Sequence, residues 1–163
     1  MNILALDLGT NTGYAHGLNG VLQAGTWQLA TAAEIKAWGK NRLRRRCDPR
    51  MQRLSNLLVE LPKPDIVVFE DVEFSTSTGQ TQLWASYRAT VWLSLGTRCH
   101  MECVPVSTLK KFATGSGSAD KPAMAAALFK QQPELKTAGL DDNAIDAIWL
   151  YSWAVQNLGR MKI

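Results

Sequence analysis

Apolar residues run almost unbroken from Ile3 to Leu8, which predicts a buried strand with Asp7 at its end. Tyr14 to Leu18 and Val21 to Leu29 predict two more strands, joined by Asn19-Gly20, a pair that favours a tight hairpin. Met51, Leu54, Leu57, Leu58 and Leu61 recur at spacings of three and four, the stripe of an amphipathic helix. Asp48 is its expected N-cap, Pro49 its first residue, and Pro62 and Pro64 stop it. The stretch DIVVFE, Asp65 to Glu70, is a further apolar strand and again ends on a carboxylate. Leu83, Tyr87, Val91 and Leu95 repeat at four and predict a helix from Thr78 to Gly96. A fifth strand is expected at His100 to Val104 and a short helix at Ser107 to Ala113. The composition of Thr114 to Asp120 predicts a flexible loop. Two helices close the chain: Lys121 to Gln132, and Asp141 to Asn157 with Ile145, Ile148, Trp149, Ser152 and Trp153 along one side. A three-strand meander followed by alternating helices and strands implies an α/β protein, a mixed sheet with helices packed against it. No linker or internal repeat divides residues 1–163, so a single domain is expected.

Composition narrows the class. Hydrophobic residues are 46% of the chain, enough for a globular core, and no run is long enough to span a bilayer. The N-terminus has no secretory pattern, and the expected location is cytoplasmic, with no membrane partner. Cys47, Cys99 and Cys103 are odd in number and lack CxxC spacing, which argues for ordinary free thiols over a disulfide framework or a zinc site. The net charge of +4 is mild, but its distribution is uneven. Lys36, Lys40, Arg42, Arg44, Arg45, Arg46, Arg50 and Arg53 crowd one segment, opposed by Asp48 alone. Such a patch suits a polyanion, or a solvated helix face.

The acidic residues carry the candidate chemistry. Asp7 and Glu70 end apolar strands, and Asp146 sits among apolar neighbours on the last helix. Asp142 and Asn143 precede Asp146 by four and three residues, so either can share a helix face with it. Each carboxylate taken alone reads as a turn or helix cap. Together, buried near one another, they would repel, and a bound cation resolves that conflict. Oxygen donors without His or Cys favour a hard ion such as Mg²⁺ or Mn²⁺.

These segments resemble the RuvC family of Holliday-junction resolvases, of the ribonuclease H-like superfamily. ILALDLGTNTGY is similar to the family's first strand, with its metal-binding Asp at Asp7. PDIVVFEDVEF is similar to the strand carrying the family's catalytic Glu, here Glu70. PVSTLKKFATGSGSADK, Pro105 to Lys121, matches most specifically: a proline, a lysine five residues on, then a TGxGxA(D/E)K segment. DDNAIDAIWL resembles the family's acidic C-terminal helix, in register at Asp146-Ala147.

The resemblance implies a ribonuclease H-like five-stranded mixed sheet, three antiparallel strands and then two parallel, with helices on both faces. It implies a homodimer that cuts four-way junctions using two Mg²⁺ per site, with other branched DNA as a further candidate substrate. Asp7, Glu70 and Asp146 would bind metal, with Asp142 or Asn143 beside them. Lys110 and Lys121 would contact DNA near the scissile phosphate, and Lys121 would offset charge there. Arg44, Arg45 and Arg46 would hold the DNA arms. The small residues Gly9, Thr10 and Gly13 would let a phosphate backbone approach closely.

Two departures matter. Bacterial members commonly place two aspartates three apart on the last helix, whereas Asn143 stands at the first of these positions. They also carry a wedging aromatic three residues past the catalytic Glu, where this chain has Glu73 followed by Phe74. Short phage-encoded relatives vary in this way, which implies a phage or prophage origin. Three rivals remain. An actin-like kinase needs a second phosphate loop and a duplicated domain that 163 residues cannot hold. A YqgF-type nuclease acting on RNA shares the first strand. A junction-binding protein with weak or no cleavage is motivated by Asn143.

Overall fold

The computed structural model describes residues 1–18, 20–39, 48–71, 77–96 and 99–159. Asn19, Lys40, Arg42, Arg44, Arg45, Arg46, Cys47, Glu73 and Phe74 lie outside them, and with them the expected arm-binding arginines and the altered wedge. The strands are β1 (Ile3–Asp7), β2 (Asn11–Leu18), β3 (Val21–Gln28), β4 (Ile66–Asp71) and β5 (His100–Pro105). The helices are α1 (Ala32–Trp38), α2 (Pro49–Glu60), α3 (Thr78–Leu95), α4 (Val106–Thr114), α5 (Lys121–Gln131) and α6 (Asp142–Leu158).

The sheet order is β3-β2-β1-β4-β5. β1 pairs antiparallel with β2, and β2 with β3, while β1, β4 and β5 run parallel. Strand alternation divides the core between the two faces. Ile3, Ala5, Ile66 and Val68 pack on one side with α4, α5 and α6. Leu4, Leu6, Val67 and Phe69 pack on the other with Leu54 and Leu58 of α2 and Tyr87 and Val91 of α3. Because both faces are covered, the central strands read as continuous apolar runs rather than alternating ones.

Several elements differ from the sequence expectation. β2 begins at Asn11 rather than Tyr14, because ladders to both neighbours, Asp7 to Gly13 and Asn11 to Gln28, satisfy its small polar residues. Helix α1 is an addition to the expected elements, and its signal is a reciprocal capping box between Thr31 and Glu34. A 3-10 turn, Pro133–Thr137, follows α5. The segment from Thr114 to Asp120 is a folded turn rather than a flexible loop. The Thr114 hydroxyl donates to the Lys110 carbonyl at 2.9 Å and accepts from the Ser116 N–H at 3.2 Å. Gly115 takes the left-handed conformation that ends α4, and Ala119 enters the core. The basic patch also shrinks. Arg50 is buried against Asp48, and Arg53 pairs with Glu34 at 2.6 Å, so neither faces a polyanion freely. Cys99 and Cys103 are free thiols and half-buried.

Candidate active site

Parity along the strands places the first two carboxylates. Ile3 and Ala5 face α6, so Asp7, two residues further, faces the same way. Ile66 and Val68 share that face, and Glu70 follows them. The parallel ladder joins Leu6 to Phe69, so one more step sets Asp7 beside Glu70. Both lie where the strands leave the core, and both are only partly buried.

Helix α6 brings the third. Its first turn lies directly over β2 at Gly13, the residue paired with Asp7. A β-carbon at Gly13 would collide with the backbone carbonyl of Asn143. A β-carbon at Gly17, four residues on and on the same face, would meet the Tyr151 ring. The two glycines therefore make the bed in which α6 rests. This corrects the expectation that Gly13 leaves room for phosphate: the space is filled by the helix. Asp141 caps α6, accepting from the Ala144 N–H at 2.9 Å, and it also accepts a short hydrogen bond from the Thr26 hydroxyl. Thr26 is the β3 partner of Gly13. One row of the sheet, Asp7, Gly13 and Thr26, thus joins a strand carboxylate to the start of the helix that carries Asp146.

The charges of Glu70 and Asp146 reach the Asp7 carboxyl, and that of Asp146 reaches Glu70. Burial, then Glu70, then Asp146 push the Asp7 carboxyl from 3.8 to about 8. Burial and then Asp146 push Glu70 from 4.5 to about 7. Asp146 is raised as well, first by burial and then by Asp142. Lys121 opposes all three shifts, and Lys110 opposes those of Glu70 and Asp146. Lys121 opens α5 and Lys110 lies in α4, so the folded turn between these helices positions both ammonium groups.

The two alternatives for a fourth ligand each have a polar partner here. Asp142 is exposed and pairs with Lys121 at 3.4 Å. The Asn143 amide donates toward Asp141 at 3.5 Å. Asp141, the N-cap of α6, also acts on the Asp7 carboxyl. Burial pushes Asp141 up, but hydrogen bonds from Thr26 and the Ala144 N–H outweigh it and hold the carboxyl low. No sequence spacing could have linked Asp141 to Thr26, 115 positions away.

The donor set fits a hard divalent cation: carboxylate oxygens whose proton affinity is raised by burial and by neighbouring carboxylates, with no thiol or imidazole among them. Among the described residues no three acidic, His or Cys side chains are already grouped at metal-holding distance. The fit therefore rests on the chemistry of the donors.

No protein-family model matches the chain, and no curated protein matches it. Solved structures do. RuvC of Thermus thermophilus in complex with a Holliday junction substrate is similar over 92% of this chain and 90% of its own, with a TM-score of 0.68 at 16% identity. A second Thermus thermophilus RuvC structure is similar over 98% and 97%, with a TM-score of 0.63 at 15% identity. The yeast mitochondrial Holliday junction resolvase Ydc2 is similar over 92% of this chain and 75% of its own, with a TM-score of 0.57 at 11% identity. The chain has the ribonuclease H-like fold of these proteins. Among the described residues no helix is long and apolar enough to cross a membrane.

Proposed function

We propose that the chain is a metal-dependent endonuclease that cleaves Holliday junctions, with Asp7, Glu70 and Asp146 as its metal ligands. The observation that carries this reading is the placement of Asp7 and Glu70 at adjacent strand ends, on the face covered by α6, where Asp146 and two lysines act on their charge. A protein gains nothing in stability from such crowding; a site for a cation does. The fold likeness to a RuvC bound to a Holliday junction supports the substrate class. Two Mg²⁺ ions, for which Mn²⁺ can substitute, would supply an activated water and offset charge on the leaving 3′-oxygen.

The chain's own residues do the rest. Asp7 and Glu70 hold their oxygens at two adjacent strand ends, and Asp146 closes the third side from α6. Lys121, 60% exposed, reaches a phosphate by leaving Asp142, since an exposed pair of this kind is worth only about 0–1 kcal/mol. Lys110 holds the backbone beside it. Arg44, Arg45 and Arg46 contact the arms through phosphates, which position DNA without reading its sequence. Two copies acting as a homodimer would cut opposed strands. Cleavage of a labelled four-way junction in Mg²⁺, and its loss in EDTA, tests the proposal.

One observation favours a second reading. Asn143 turns to Asp141, and Asp142 is paired with Lys121, so the fourth ligand of the site is weak. A chain that binds junctions in EDTA and cuts none at any Mg²⁺ or Mn²⁺ concentration would be the junction-binding protein.

A further inference from the structure

Arg50 belongs by sequence to the basic run, yet it is 2% exposed and cannot reach a phosphate. Its guanidinium forks onto Asp48, Nε to Oδ1 at 2.9 Å and Nη2 to Oδ2 at 2.6 Å. The remaining nitrogen, Nη1, donates to the Thr10 hydroxyl at 2.9 Å. The Tyr87 hydroxyl of α3 lies 3.3 Å from that same Thr10 oxygen. The Trp38 ring at the end of α1 sits 5.8 Å from the guanidinium. Three helices therefore converge on one turn of the chain.

That turn is the one leaving Asp7. The pairing of β1 with β4 stops at Leu6 and Phe69, whereas β4 runs on beside β5 through Asp71. Asp7 keeps a ladder partner on one side only, Gly13. Its backbone depends on residues 8–10 for the rest of its placement. Within the sheet, the Thr12 hydroxyl donates to the Gly9 carbonyl at 2.7 Å, and the Leu29 N–H donates to the Thr10 carbonyl at 2.8 Å. Arg50 and Tyr87 add the hold from the opposite face of the sheet.

We propose that Arg50 is a positioning residue, which fixes the Asp7 strand end through the Thr10 hydroxyl. The proposal rests on the endonuclease reading for its consequence in catalysis, but not for its geometry. A charged fork with both arms on a buried carboxylate is geometrically stiff, so the third bond transmits that stiffness to Thr10. A lysine in its place keeps the charge and loses the fork. Misplacing a reacting group by about 1 Å costs on the order of a hundredfold in rate, so a looser turn is felt in cleavage before it is felt in binding.

The test uses the full chain with Thr10→Val, which keeps the branched shape and removes the hydroxyl, with Thr10→Ser, which restores it, and with Arg50→Lys. Three quantities are read: amide hydrogen exchange without metal, junction binding against salt in EDTA, and single-turnover cleavage started with Mg²⁺. Thr10→Val is expected to speed exchange at Gly9 to Thr12 about tenfold and to slow cleavage by a similar factor, the scale of one lost bond to a charged donor. Exchange at Val67 and Val68, affinity and the salt slope stay as in the parent. Thr10→Ser returns both altered readings. Arg50→Lys reproduces Thr10→Val, and the double variant is no worse than either. An equal rise in exchange across β4 would overturn the proposal, because the network would then hold the fold as a whole. So would a flatter salt slope in Arg50→Lys, or a looser turn with undiminished cleavage. A parent chain that cuts no junction overturns the endonuclease reading instead, and exchange alone then decides whether Arg50 fixes the turn.

Discussion

Replacing Asp7 with Asn should make the metal-free protein more stable, although it removes a proposed ligand. The Asp7 carboxyl is raised from 3.8 to about 8, by burial first and by Glu70 and Asp146 next. Between those two values the folded chain holds a proton that the unfolded chain has released. Stability therefore falls as pH rises across this window and levels off above it. Each tenfold change in proton affinity is 1.36 kcal/mol, so four decades set a ceiling of roughly 5 kcal/mol. Asp7 is partly open to solvent, which screens the repulsion, and we expect about 2 kcal/mol. For a chain of this size that corresponds to about 4–8 °C in Tm. Thermal unfolding of parent and Asp7→Asn in EDTA, from pH 4 to pH 9, measures it. The two curves should meet near pH 4 and separate progressively up to pH 8, with the variant higher. Added Mg²⁺ should raise the parent and leave the variant little changed. If the variant is the less stable chain at pH 8, or the gap is the same at every pH, the three carboxylates do not share a site.

Asp146→Asn should abolish cleavage of a four-way junction with binding in EDTA retained, and Asn143→Asp should lower the Mg²⁺ concentration that half-saturates cleavage; metal titrations of both decide whether the first turn of α6 can supply a fourth ligand. Gly13→Ala should cost about 3 kcal/mol and Gly17→Ala under about 1 kcal/mol in denaturant unfolding, because the first methyl meets the Asn143 backbone and the second only a tyrosine ring that can turn. Replacing Arg44, Arg45 and Arg46 together with Ala should flatten the salt dependence of junction affinity by about three phosphate contacts, whereas Arg53→Ala, which frees Glu34 and the Leu29 carbonyl, should leave it unchanged.

Much of this molecule is legible in the order of its residues. Short continuous apolar runs mark the central strands, and spacings of three and four mark most helices, because which residues are buried along one element is set by near neighbours in the chain. Asp48 before Pro49 announces the start of α2, and the structure confirms both roles. The capping box at Thr31 and Glu34 was equally readable, masked only by the charged residues that follow it. Asp7 and Glu70 stand out in sequence because a carboxylate at the end of an apolar strand is costly unless something offsets it. What each polar group faces is not local. Arg50 reads as one more surface cation until folding seats it on Asp48 and Thr10, 2 and 40 residues away. Gly13 reads as a loop glycine until α6, 130 residues later, rests its backbone there. Asp141 reads as a helix cap until Thr26 is brought to it across the sheet. The chain encodes its elements through near neighbours, but the energy of a charge or of a missing side chain depends on whatever surrounds it within a few ångströms, and only the packed sheet and helices decide that.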